Sequence, residues 1–102
     1  MKIKRQTLFI GLNDKDLKKQ VISKNRAKKV IMSIVGDCTI TDALGKYTHD
    51  DGQVVTEKSY KVELLIFEGE QDNTIEYCQQ IKKALNQESV AVVTDYVDSI
   101  LV

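Results

Sequence analysis

The strongest constraint on folding lies in the middle of the chain. Two β-rich runs, Thr39–Tyr47 and Val54–Phe67, flank the tetrapeptide His49-Asp50-Asp51-Gly52. Asp-Gly supplies the positive-φ positions that a tight connection between antiparallel strands requires. In the second run Tyr60, Val62, Leu64 and Ile66 share one face, while Ser59, Lys61 and Glu63 take the other. That is the pattern of a half-buried antiparallel strand. A hairpin alone cannot shield its apolar face, so another layer has to cover it. Its outer part, through Glu57, is expected to project beyond the core as a two-stranded ribbon.

The flanking segments supply that layer. Gln6–Leu12 reads as a first strand and Asn13–Ile22 as a polar connection. Ser23 is placed to cap a helix whose apolar stripe is Ala27, Val30, Ile31, Ile34 and Val35, with Gly36 as its expected stop. Asp72 or Asn73 can cap a second helix with the stripe Ile75, Cys78, Ile81 and Leu85. Ser89–Thr94 reads as the final strand. The tail Asp95–Val102 ends in three apolar residues and is expected to pair or pack, against the body or another subunit. The order is strand, helix, strand, strand, helix, strand. It predicts one α+β domain over residues 1–102, a ferredoxin-like βαββαβ antiparallel sheet with two helices on one face and an extended central hairpin. Leu65 and Phe67 are then expected on the open face, an argument for a partner chain covering it.

Charge narrows the function classes. The chain of 102 residues carries 15 basic and 15 acidic side chains, so its formal charge is zero. The two signs are segregated: residues 1–29 hold ten Lys/Arg against two acids, and residues 30–102 hold five against thirteen. A uniformly basic or acidic tail is excluded. No apolar run approaches the ~20 residues of a membrane span, and the run after the basic start is too short for a signal peptide. The expectation is a cytoplasmic protein of a bacterium or phage-infected cell. Cys38 and Cys78 read as core thiols, and two Cys with one His lack the spacing of a zinc site. No cofactor or metal is expected.

The string Asp51-Gly52-x-Val54-Val55-x-Glu57-x-Ser59, after a strand containing Gly45, and the string Leu85-Asn86-Gln87-Glu88-Ser89-Val90 together resemble an uncharacterised family of small bacterial and phage proteins. That family has a ferredoxin-like, PII-like fold. The resemblance covers most of the chain in element order and implies no activity, so it transfers no catalytic residue. Broader relatives of the fold, such as PII signalling and CutA-type proteins, form trimers that hold small anions or nucleotides between subunits; that is analogy at the level of fold.

Tyr47-Thr48-His49-Asp50-Asp51 is the only concentration of catalytic-type side chains. Turn formation accounts for it as well, because Asp and Gly are turn residues and an exposed tip cannot desolvate a reactive centre. Cys38 and His49 lie eleven residues apart, over ~30 Å along an extended strand, and cannot pair as nucleophile and base. Neither G-x-G-x-x-G nor the P-loop motif occurs. An anion site is conceivable from Asn13, Lys15 and Lys18 of the first loop with Arg26 of the first helix, whose N-terminus favours negative charge. Thr41, Tyr47 and Glu57 of the ribbon, Tyr60, and Gln87 at the end of the second helix complete the candidate ligand set. Nucleic acid is disfavoured, because no RNP1-type string lies on the strands.

The reading that follows is a non-enzymatic homo-oligomer that captures a small anionic, nucleotide-like ligand at subunit junctions. Basic residues would meet phosphate while Tyr47 or Tyr60 stacks on a base. A PII-like regulator or a phage sponge for a host nucleotide signal would behave in this way. The alternative is a protein-interaction module, such as a phage-encoded inhibitor of a host defence protein. An enzyme ranks third, because it would need a site shared between chains.

Overall fold

The computed structural model describes all residues, 1–102. Six elements follow in order: β1 (Lys2–Gly11), α1 (Lys24–Ile34), β2 (Thr39–Thr48), β3 (Val54–Ile66), α2 (Thr74–Ala84) and β4 (Ala91–Asp98). The sheet is antiparallel with the order β2-β3-β1-β4. This is the expected ferredoxin-like arrangement, in which β1 and β3 are central and both helices cover one face.

Alternation in the central strands decides what is buried. Leu8 pairs with Val62, Ile10 with Tyr60 and Gln6 with Leu64, so even-numbered residues of both strands share the helix-covered face. They pack with Ala27, Ile31, Cys78, Ile81 and Leu85 into one core, where Leu8, Ile10, Val62, Ile31 and Ile81 are completely shielded. Odd-numbered residues, among them Arg5, Thr7, Phe9, Glu57, Lys61 and Leu65, face the open side. Phe9 and Leu65 are 43% and 45% exposed there.

Several ends differ from the sequence reading, for local reasons. Ser23 caps α1 by accepting from the Arg26 amide at 3.2 Å. The helix then stops at Val35, which turns extended, so Gly36 makes no left-handed cap. Ile75 is 66% exposed and falls outside the buried stripe of α2. β4 starts later and runs further than expected: Asp95–Asp98 pair with Lys2–Arg5, which gives the first half of the tail its partner. Beyond Ser99, Ile100 and Leu101 remain exposed.

The hairpin extends past the body. β1 ends opposite Ser59, whereas β2 and β3 continue as far as Thr48 and Val54. Gly52 adopts φ +87° in the turn, the backbone conformation its Asp-Gly sequence anticipated. The far end of this ribbon has only its own two strands for support, and it borders the site.

Candidate functional site

Three segments converge where β1 ends. The first is the loop after β1, the second the ribbon, and the third the turn from α2 into β4. Together they border a concavity of about 950 Å³ on the open face of the sheet. Its floor is Phe9, Gly11 and Ala91. Tyr47, Val55 and Glu57 form the ribbon wall, Asn13, Lys15 and Lys18 the loop wall, and Gln87, Glu88 and Ser89 the third side.

Glu57 is the charged group of the site that lies over the end of β1. Gly11 pairs with Ser59, so Glu57, two residues further along and on the same face, reaches diagonally back across the end of β1. Its carboxylate lies against the bare Gly11 backbone, where a β-carbon would stand 2.5 Å from Cδ and 2.6 Å from Oε2. Oε2 accepts the Asn13 backbone N–H at 2.9 Å. No lysine or arginine pairs with it. A carboxylate so held, with no cation of its own and open to a cavity, is a receptor for a positive group.

The loop that holds Glu57 is itself stitched to the α2–β4 turn. The Gln87 side-chain amide donates to the carbonyls of Asn13 (2.7 Å) and Leu85 (3.3 Å). The Lys15 amide donates to the Asn86 carbonyl at 3.0 Å. Asn86, at φ +48°, gives its side-chain amide to both Asp14 and Asp16 at 2.9 Å. That bond and those from the Leu17 and Asp16 amides hold the Asp14 carboxyl below the usual carboxylate range. Across the site, burial and the negative charges of Glu57 and Glu88 push the Tyr47 hydroxyl up. It therefore remains a protonated donor, with its ring edge-on to His49 at 5.3 Å between centroids.

Of the candidate ligand residues, Asn13, Lys15, Lys18, Tyr47, Glu57 and Gln87 border this concavity, and Arg26, Thr41 and Tyr60 do not. Tyr60 stands as a correction: it is 3% exposed on the helix-covered face, its hydroxyl donates to the Lys24 carbonyl at 2.9 Å, and the Lys24 ammonium sits 4.1 Å from its ring centre. It has no face left for stacking on a base. Arg26 lies on α1, and Thr41 pairs with Lys61 further along the sheet. Sequence reasoning passed over Phe9 and Gly11. Their signal was an exposed-face aromatic two residues before a glycine at a strand end, which becomes legible only once Glu57 is known to lie opposite. The hairpin residues His49, Asp50 and Asp51, read as turn formers, also border the site.

A small antiparallel α+β domain with a carboxylate-bearing concavity on its open face is the class that fold and site define. The chain belongs to the family DUF3574, proteins of unknown function, which matches residues 5–99. No curated protein matches it. Among solved structures it is similar to a phage SAM lyase in complex with S-methyl-5'-thioadenosine, with TM-score 0.66 and 25% identity over 91% of this chain and 80% of that one. It is likewise similar to a phage SAM lyase in the apo state, with TM-score 0.61 and 26% identity over 91% of this chain and 79% of the other. These likenesses overturn the expectation of a non-enzymatic capture protein, sponge or protein inhibitor, since both neighbours are enzymes. The expected small nucleotide-like ligand stands in coarse form: the first neighbour holds a nucleoside.

Proposed function

We propose that this chain is an enzyme that binds S-adenosylmethionine in the concavity around Glu57 and cleaves it to S-methyl-5'-thioadenosine. The observation that carries the reading is the likeness over 91% of the chain to a phage SAM lyase whose complex holds that nucleoside.

The chemistry of the site supports it. Methylthioadenosine is what remains of S-adenosylmethionine when the bond from the sulfonium sulfur to the γ-carbon of the amino-acid arm breaks. The bonding pair goes to sulfur, which becomes a neutral thioether. With no water added, the γ-carbon is taken by the substrate's own carboxylate oxygen, which closes a five-membered lactone. Two opposite charges vanish in that step, so surroundings less polar than water favour the transition state over the separated charges. Phe9, Tyr47, Val55 and Ala91 are the apolar part of a lining that is otherwise polar and charged. The α-ammonium keeps its charge throughout. A carboxylate that binds it orients the arm without opposing the reaction, and Glu57 is the group we assign to this role. The Tyr47 ring offers a stacking face to adenine and its hydroxyl a donor.

The proposed working form is a homo-oligomer of phage origin acting in the cytoplasm. Phe9, Leu65 and Val93 are 43%, 45% and 54% exposed on the open face, and a second copy laid on that face would cover them and shield the concavity from water. No helix is long and apolar enough to cross a membrane.

The test is incubation of the purified chain with S-adenosylmethionine, with products separated by chromatography. Methylthioadenosine should accumulate, and Glu57→Gln should reduce its rate by about 10²-fold, the scale of losing one oriented electrostatic contact. A chain that forms no methylthioadenosine would overturn the proposal.

A further inference from the structure

The side-chain N–H groups of Gln87 are taken by the protein itself. The residue is 7% exposed. Its Nε2 is engaged by the Asn13 carbonyl at 2.7 Å and the Leu85 carbonyl at 3.3 Å. The Gln87 backbone N–H is also held, by the Lys82 carbonyl at 2.9 Å. Gln87 is therefore a fixed post at the end of α2, reaching across to a residue 74 positions earlier in the chain. Asn13 is the residue whose own N–H carries the Glu57 carboxylate at 2.9 Å. The two bonds lie on either side of one α-carbon, so holding the carbonyl restricts the direction in which the N–H points.

We infer that Gln87 is a positioning residue that acts through the Asn13 backbone to aim the Glu57 carboxylate over Gly11 and into the concavity. The inference rests on the reading of that concavity as the active site, and it assigns Gln87 a task different from touching the substrate. Three segments distant in sequence form one chain of contacts: the end of α2, the exit of β1 and the ribbon. A donor at 87 sets the angle of a backbone amide, and that amide sets the carboxylate. Small errors in the placement of an orienting group cost large factors in rate, so a shell of this kind is what a preorganised carboxylate requires.

The experiment is a double-mutant cycle on the full chain with S-adenosylmethionine as substrate. Gln87→Met keeps the length and loses the donor. Gln87→Glu keeps the shape and turns an acceptor toward two carbonyls, and it serves in the cycle if the first variant does not fold. Either should lower kcat/KM about tenfold. In a Glu57→Gln background the same change should have no further effect, because the group it aims is already gone. Equal losses in both backgrounds, or no loss in either, would overturn the inference. A second readout is independent of turnover: the Asn13 amide proton resonance, expected to move in the same direction on Gln87→Met and on Glu57→Gln. An Asn13 resonance untouched by the change at 87 refutes the coupling. A wild-type chain that forms no methylthioadenosine refutes the active-site reading, and the resonance then decides the contact chain by itself.

Discussion

Replacing Gly11 by alanine should separate activity from stability. Gly11 is on the extended side of the backbone map, since the glycines at positive φ are Gly52 and Gly69, and an L-residue fits its backbone. An added β-carbon would stand 2.5 Å from Glu57 Cδ, so one of the two must move. The obstruction is the far end of a flexible side chain, and the carboxylate can swing into solvent. The stability terms offset one another in part. The bond from the Asn13 amide to the half-buried Glu57 carboxylate is worth about 1.5 kcal/mol when lost, the low end for a charged acceptor, and replacing glycine where the backbone permits it returns about 0.4–1 kcal/mol by restricting the unfolded chain. A net loss of about 0.5–1 kcal/mol moves Tm by less than about 8 °C for a domain of this size. Activity has no such offset. If Glu57 orients the substrate, its displacement should cost about 10²-fold in methylthioadenosine formation, or about 2.7 kcal/mol of transition-state stabilisation. The assays are thermal unfolding followed by circular dichroism and chromatographic product formation on the same preparation. Full activity with an unchanged melting curve would refute the argument that the carboxylate works from its place over Gly11. A fall in Tm of 15 °C or more would refute the claim that only a side chain obstructs.

At Asp72, burial works against the charged form, but bonds from the Thr74 hydroxyl and amide, Lys4 and Gln6 outweigh it and hold the carboxyl far below its usual range. Its folded value lies under the ordinary ~3.9 of an unfolded aspartate, so its stabilisation is present above about pH 5 and is lost as pH falls toward the folded value. Asp72→Asn should lower the urea midpoint at pH 7 and narrow the gap between the midpoints at pH 7 and pH 3; an unaltered gap would contradict this. Ile81→Ala, at a fully shielded position between α2 and the sheet, should cost about 2–5 kcal/mol in chemical denaturation. Tyr47→Phe keeps the ring and removes the hydroxyl. It should change the affinity for methylthioadenosine by less than about fivefold in calorimetry, whereas Tyr47→Ala should lose about tenfold or more, on the ~1–3 kcal/mol scale of base stacking.

The order of elements was legible because periodicity is a local property. Alternation at Tyr60, Val62, Leu64 and Ile66 needs no knowledge of any other segment, and the first three join the core beneath the helices as the pattern required. Element ends were less legible, for reasons that differ residue by residue. Val35 leaves the helix by turning extended, which makes Gly36 unnecessary as a cap. Asp95–Asp98 contain only two apolar residues, yet they form strand because β1 offers an edge with free hydrogen-bonding groups. In the site, Tyr47, Glu57, Asn13 and Gln87 were all visible as polar or aromatic residues near turns. What each one does was not. Gln87 was read as a ligand residue, and its amide turned to the Leu85 carbonyl at the helix end and to a loop 74 residues away.

The sequence by itself determined the strand and helix order, the buried face of each central strand, the glycine turn of the ribbon and the absence of an internal metal or phosphate motif. It did not determine that Glu57 would fold back over Gly11, nor that the Lys24 ammonium would lie over the Tyr60 ring. Those outcomes depend on the register of β1 against β3, which sets Gly11 opposite Ser59 and so brings Glu57 within reach of the Asn13 amide. Register is a property of two segments nearly fifty residues apart, chosen by the packing of Leu8, Ile10 and Val62 against the helices. A pattern read along one strand identifies its faces. Only the tertiary structure decides which residue of the next strand stands beside it.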